Sequence, residues 1–109
     1  MSIYVYQSFQ LKQENFQEGI QNLANIKSFR NENYSHEIEV LSPISGKDHT
    51  YCLIAKYEGL AEMELQNKKM FEDEKYKKMI SDFFIEHTVQ NSIETQLLRC
   101  LQLPPKTKK

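Results

Sequence analysis

Thr50-Tyr51-Cys52-Leu53-Ile54-Ala55-Lys56-Tyr57 is the stretch on which the reading of this 109-residue chain turns. β-Branched, aromatic and small apolar residues dominate it, so it reads as a strand. Alternation sends Tyr51, Leu53, Ala55 and Tyr57 to one face and Cys52 and Ile54 to the other. Both faces are apolar, so the strand needs cover above and below. That demand places it in the middle of a sheet rather than at an edge.

Working outward, Ser42-Pro43-Ile44-Ser45-Gly46-Lys47-Asp48 is turn chemistry, with Pro and Gly at the bend. Before it, Tyr34 to Leu41 alternates, with His36, Ile38 and Val40 opposed to Ser35, Glu37 and Glu39. One wet face predicts an edge strand, joined to Thr50–Tyr57 as a hairpin. Ser2 to Leu11 predicts another strand with two apolar faces. Ile3, Val5, Phe9 and Leu11 share one face with Gln7; Tyr4, Tyr6 and Ser8 share the other. From Gln13 the period becomes helical. Phe16, Ile20, Leu23, Ala24 and Lys27 form a stripe that predicts an amphipathic helix to about Lys27, and Ser28 to Asn33 reads as a polar connection.

Downstream, Gly59 ends the strand. Leu60, Met63, Leu65 and Met70 follow with roughly helical spacing. Glu72-Asp73-Glu74 predicts a break and restart, with Asp73 as N-cap. Tyr76, Met79, Ile80, Phe83, Phe84 and His87 give a second helical stripe. Thr88 to Asn91 is a loop and Ser92 to Leu101 a last strand. Pro104 to Lys109 has nothing to bury and is expected to be a mobile tail after a single domain spanning 1–103.

The order is β-α-β-β-α-β, which predicts an α+β ferredoxin-like plait. Its antiparallel sheet has the order 4-1-3-2, with both helices on one face. The first strand then separates the strands of Cys52 and Cys100 by two spacings, about 9–10 Å, and excludes a disulfide between them. Both cysteines read as reduced, buried thiols, and the expected compartment is the cytoplasm. No apolar run of membrane-spanning length and no basic-then-apolar leader is visible. A net charge of −1 argues against general polyanion binding.

Once two helices cover one side of the sheet, Tyr4, Tyr6, Cys52, Ile54, Leu98, Cys100 and Leu41 fall on the other. In water that patch exceeds what monomers usually expose. The expected solution is a two-fold homodimer with stacked sheets, burying roughly 800 Å² per partner.

Four stretches then carry a resemblance. Tyr57-Glu58-Gly59-Leu60-Ala61-Glu62-Met63-Glu64 resembles the lead into the second helix of dimeric α/β-barrel proteins. Phe71-Glu72-Asp73-Glu74-Lys75-Tyr76 resembles their helix break. Ser92-Ile93-Glu94-Thr95-Gln96-Leu97-Leu98-Arg99 is similar to their last strand. Tyr6-Gln7-Ser8-Phe9-Gln10-Leu11 sits where NIPSNAP-type members carry a characteristic strand, with Gln7 at a common arginine position. The superfamily includes antibiotic-biosynthesis monooxygenases, heme-degrading enzymes and stress-responsive proteins. The resemblance therefore implies a cofactor-free, monooxygenase-like enzyme acting on a small apolar or aromatic molecule. The alternative is a non-catalytic ligand-binding or stress-responsive dimer. It also implies a pocket between sheet and helices, for which Tyr6, Gln7, His36 and Tyr51 are the candidate ligand-binding residues. Against this stands the reading in which tyrosines simply pack the interface.

Other chemistry is poorly supported. His36, His49 and His87 lie on three elements without metal-ligand spacing, so no metal is expected. His36 reads either as a histidine satisfied by a backbone partner or as a cleft residue. His87 reads as a helix-end cation. No nucleophile–base set and no phosphate loop is present. Lys68, Lys69, Lys75, Lys77 and Lys78 interleave with acids as a solvated helix face. RNA-recognition domains share the element order, and Ile3-Tyr4-Val5 resembles their first strand. Thr50–Tyr57, however, lacks their aromatic-glycine pattern, so no nucleic-acid partner is expected.

Overall fold

The computed structural model describes residues 2–46 and 48–101. The expected tail, 104–109, and Lys47 in the turn lie outside the described residues. The elements are β1 (Ile3–Gln10), α1 (Phe16–Asn33), β2 (Glu37–Leu41), β3 (Thr50–Tyr57), α2 (Leu60–Glu72), α3 (Glu74–His87) and β4 (Glu94–Arg99). The strands form one antiparallel sheet in the order β2-β3-β1-β4. This is the anticipated ferredoxin-like order, with β3 and β1 at the centre.

Register sorts the side chains. Tyr4 lies opposite Lys56 and Leu98, Tyr6 opposite Ile54 and Gln96, and Ser8 opposite Cys52 and Glu94. Leu41 lies opposite Cys52 and Glu39 opposite Ile54. Facing pairs share a side, so these residues make up the face that carries no helix. The other side holds the core. Ile3, Phe9, Ile38, Leu53, Ala55 and Tyr57 are buried there against Leu23 and Ile26 of α1, Met70 of α2, and Tyr76 and Phe83 of α3. Phe9 meets Phe83 and Phe84 edge-on, with ring centroids 5.5 and 5.8 Å away, the geometry that aromatic quadrupoles favour.

The boundary between α1 and β2 moves. Helix α1 continues through Ser28–Asn33 instead of stopping near Lys27. The asparagines expected to make a loop are used otherwise. Asn31 accepts from Ile38 N through Oδ1 (2.9 Å), and its Nδ2 donates to Ile38 O at 3.4 Å, which ties the helix to β2. The inward residues are Gly19, Leu23, Ile26 and Arg30, so the core face is rotated from the expected stripe. In turn β2 begins at Glu37, because Tyr34 and Ser35 bond to the α2–α3 junction and to α2 rather than to β3, and His36 bonds to Arg30 of α1. Tyr34 donates its hydroxyl to Asp73 Oδ2 (2.8 Å), and Ser35 N donates to Gln66 Oε1 (3.3 Å).

The break at Asp73 is as expected. Its Oδ1 accepts from Tyr76 N at 3.1 Å and caps α3, which relieves one of the orphan donors at a helix start. Strand β4 is shorter than Ser92–Leu101 and exposed along its whole length. Cys100 falls beyond it and is exposed, and Cys52 is half-buried; both are free thiols. The expectation of buried thiols is therefore corrected: Cys100 follows an edge strand that no helix covers, and Cys52 lies on the helix-free face. No helix among the described residues is long and apolar enough to cross a membrane.

Candidate functional site

The expected apolar stripe of α1 does exist, but it lines a groove. Phe16, Ile20, Leu23, Ala24 and Lys27 form one wall, and Val40, Ser42 and Tyr51 of the β2–β3 hairpin form the other. The groove encloses about 480 Å³, within the range of small-molecule pockets. Its geometry follows from how α1 is launched. Leu11 N donates to His49 O (2.8 Å) and Lys12 N to His87 O (2.9 Å), which seats the loop before α1 between the hairpin foot and the end of α3. Asn15 turns the chain with φ of 56°, a left-handed conformation that asparagine tolerates well. Phe16 then stands edge-on to His49 at 5.2 Å and tilted to Tyr51 at 6.1 Å. These rings close one end. Toward the other end lies Lys27, half-buried, with Nζ 3.6 Å from Glu39 Oε1. Gln17, Ser42 and Tyr51 supply neutral hydrogen-bonding groups.

The other end of the helix–sheet layer holds a polar cluster. Arg30 is buried in the last turn of α1. Its Nε and Nη2 point at His36 Nε2 (3.1 and 2.8 Å), and Nη2 also donates to the Tyr57 hydroxyl (3.2 Å). The guanidinium carbon stands 5.9 Å from the Tyr76 ring centroid. No ion pair among the described residues includes Arg30. A guanidinium only donates, so His36 Nε2 accepts and Nδ1 carries the ring proton. His36 is sandwiched between Tyr57 (4.5 Å) and Tyr34 (5.9 Å). Burial, and then the neighbouring Arg30 charge, pull its pKa down to about 4. The imidazole is thus neutral at pH 7, and Nδ1 has no hydrogen-bond partner among the described residues. Burial raises the Tyr57 and Tyr76 phenols, and burial followed by the Asp73 hydrogen bond raises that of Tyr34. The cluster is a desolvated cation held by neutral acceptors and a ring face. Beside it lies a polar recess of about 300 Å³, lined by His36, Glu37, Glu58 and Glu62 among others.

The four sequence-derived candidates do not converge. Tyr51 lines the groove. His36 packs on Tyr57, six residues further along β3, or about 20 Å at strand rise. Gln7 sits in mid-sheet on the helix side, donating to Thr95 Oγ1 at 3.1 Å. Tyr6 is on the helix-free face, its hydroxyl 3.0 Å from Cys52 Sγ. His36 meets arginine rather than a backbone partner, and His87 is buried at the last position of α3. Among the described residues no three His, Cys, Asp or Glu side chains converge as metal ligands. Sequence reasoning missed Phe16, Ile20, Ala24, Lys27 and Val40 as site residues, although the stripe itself was visible. It also missed Arg30, which nothing nearby in sequence marks.

No protein-family model and no curated protein matches this chain. Solved structures do. An uncharacterised NIPSNAP domain protein from Burkholderia xenovorans superposes with a TM-score of 0.75 at 10% identity, over 95% of this chain and 99% of that one. A NIPSNAP family protein from Agrobacterium tumefaciens gives a TM-score of 0.71 at 15% identity, over 96% and 98%. SnoaB, a cofactor-independent oxygenase from Streptomyces nogalater, gives 0.71 at 13% identity, over 96% and 98%. The fold of this chain is therefore that of NIPSNAP and antibiotic-monooxygenase-like proteins, as the sequence resemblance implied. At these identities the likeness is one of fold.

Proposed function

We propose that this protein binds a small apolar or aromatic molecule in the groove between α1 and the β2–β3 hairpin. The observation that carries the reading is that the helical stripe Phe16-Ile20-Ala24-Lys27, with Leu23 buried at its base, lines an open concavity of about 480 Å³ that no element of the described chain fills. Burying apolar ligand surface there is worth about 25 cal/mol/Å² before ordering costs. The test is titration with a neutral environment-sensitive dye such as Nile red. A blue-shifted, saturable signal is expected in the native protein. It should be lost in Ala24→Phe, which fills the groove from an exposed helix position. An unchanged signal in that variant would remove the groove from consideration.

A second reading is favoured by the fold shared with a cofactor-independent oxygenase: the bound molecule is oxidised rather than merely held. Oxygen consumption with an electron-rich polyphenol, abolished by Ala24→Phe, would separate enzyme from binder. We further propose that a second copy of the chain covers the helix-free face, where Tyr4, Tyr6, Cys52 and Ile54 are half-buried and Leu41 and Leu98 exposed. The cytoplasm remains the proposed setting, consistent with two free thiols.

A further inference from the structure

We infer that the groove selects molecules with an apolar body and a terminal carboxylate, and that Lys27 reads the anion. The inference rests on the groove being a binding site and adds the charge of what it takes. Among the described residues lining the groove, Lys27 is the one with a formal charge, and none is acidic. A groove that is apolar along its length and positive at one point complements an amphiphilic acid. It is neutral toward the corresponding ester and repels the corresponding amine.

Position supports this role. Phe16 and Lys27 lie eleven residues apart on α1, about 16 Å at helical rise. An elongated ligand resting on the Phe16 and Tyr51 rings reaches Lys27 with its other end. Lys27 lines the groove with its side chain partly exposed, which suits a stem packed on apolar surface and an ammonium kept in water. The present counter-ion is weakly placed. Strand alternation puts Glu39 on the opposite side of β2 from Val40, so Glu39 approaches Lys27 around the sheet edge. Its 3.6 Å separation is longer than the roughly 2.8 Å of a charge-assisted hydrogen bond. Glu39 is mostly exposed and Lys27 only half-buried, and pairs so open to water contribute little. A carboxylate seated in the groove can therefore displace Glu39 at small cost. The Ser42 and Tyr51 hydroxyls and the Gln17 amide are further donors on the same surface.

The test compares dodecanoic acid, its methyl ester and dodecylamine, each below its aggregation threshold, by calorimetry and by displacement of Nile red. The acid is expected to bind about tenfold more tightly than the ester, and the amine more weakly than the ester. Lys27→Met should bring the acid down to the affinity of the ester while leaving the ester within about twofold, and Lys27→Glu should favour the amine. Equal binding of acid and ester by the native protein would overturn the anion preference and leave the groove standing. A preference that survives in Lys27→Met would overturn the role of Lys27. Failure of all three to bind, or binding that persists in Ala24→Phe, would overturn the groove itself.

Discussion

Arg30 and His36, six residues apart, meet through one nitrogen: Nε and Nη2 of the guanidinium lie 3.1 and 2.8 Å from His36 Nε2. The contact joins the last turn of α1 to the segment entering β2, and together with burial it keeps the imidazole neutral. The cation has no carboxylate partner among the described residues, so its stability depends on the imidazole staying neutral. Protonating His36 would place two positive charges in contact inside the layer.

Stability should accordingly fall with acid in a defined window. His36 is pulled to about 4 in the folded chain against an ordinary value near 6.5. Below 6.5 the unfolded chain takes up a proton that the folded chain refuses. The contribution is therefore complete above pH 6.5 and is lost as pH falls toward 4. The gap corresponds to about 3 kcal/mol. Urea unfolding of native protein and His36→Gln across that window measures it, since the glutamine carbonyl still accepts from Arg30 without titrating. Parallel pH profiles for the two would sink the assignment.

The same contact makes a conservative change the harsher one. Arg30→Lys replaces a planar fork, which reaches both His36 and Tyr57, with a strongly hydrated point charge. It should cost about 2 kcal/mol or more. Arg30→Met removes the buried charge and keeps most of the volume, and should cost less. Chemical denaturation of the pair decides the order, and a lysine variant as stable as native protein would contradict it.

Asp73 ends one helix and starts the next. Its carboxyl is held below the usual range by the Tyr76 N–H first and the Tyr34 hydroxyl second. Its contribution is thus present above its ordinary pKa and lost as pH falls below it. At neutral pH, Asp73→Ala should lower Tm by about 5 °C, and Tyr34→Phe by less, because the cap on α3 survives that change. Calorimetry showing the opposite ranking would locate the stabilisation elsewhere.

Gly19 offers a change in the other direction. A Cβ built there would stand 3.4 Å from His87 Nδ1 and 3.5 Å from its Cβ, which is ordinary contact. Gly19→Ala should therefore stabilise by about 0.5 kcal/mol through helix propensity. Gly19→Leu should destabilise by driving into the buried imidazole. Two thermal melts check both signs.

How much of this was legible in the sequence depends on what a periodic pattern can express. Alternation in Thr50–Tyr57 placed β3 at the centre, and it also sorted Tyr4, Tyr6, Cys52 and Ile54 onto the helix-free face. A period-two signal fixes side and needs no partner to be known. The α1 stripe was equally plain, yet periodicity marks an apolar face without saying what covers it, and Phe16-Ile20-Ala24-Lys27 faces a groove. Ser28–Asn33 looked like a loop because asparagine and serine bond to backbone in turns. Asn31 makes those bonds, but to Ile38 in another element. Arg30 could not be read at all. Its acceptors His36 and Tyr57 lie 6 and 27 residues away on other segments, and buried arginine has no local pattern. His36 and Tyr51 were correctly assigned to the helix side, but strand length separates them into two sites.

The helix-free face gives the last prediction. Tyr6 and Ile54 pair across the two central strands, with Tyr4 and Leu98 on one side of them and Cys52 and Leu41 on the other. The apolar residues thus run diagonally from β4 to β2, while Glu37, Glu39, Glu94 and Gln96 occupy the flanks. A continuous apolar diagonal with a polar rim is the anatomy of an interface core. Light scattering at micromolar concentration should therefore give twice the chain mass. Ile54→Glu, which sets a carboxylate in the middle of the diagonal beside Glu39, should give the single-chain mass. The fold should persist in that variant, because Ile54 is only half-buried in one chain and its strand neighbours Leu53 and Ala55 hold the core. A native protein at single-chain mass, or a double-mass species indifferent to Ile54→Glu, would mean that this face is not where two copies meet.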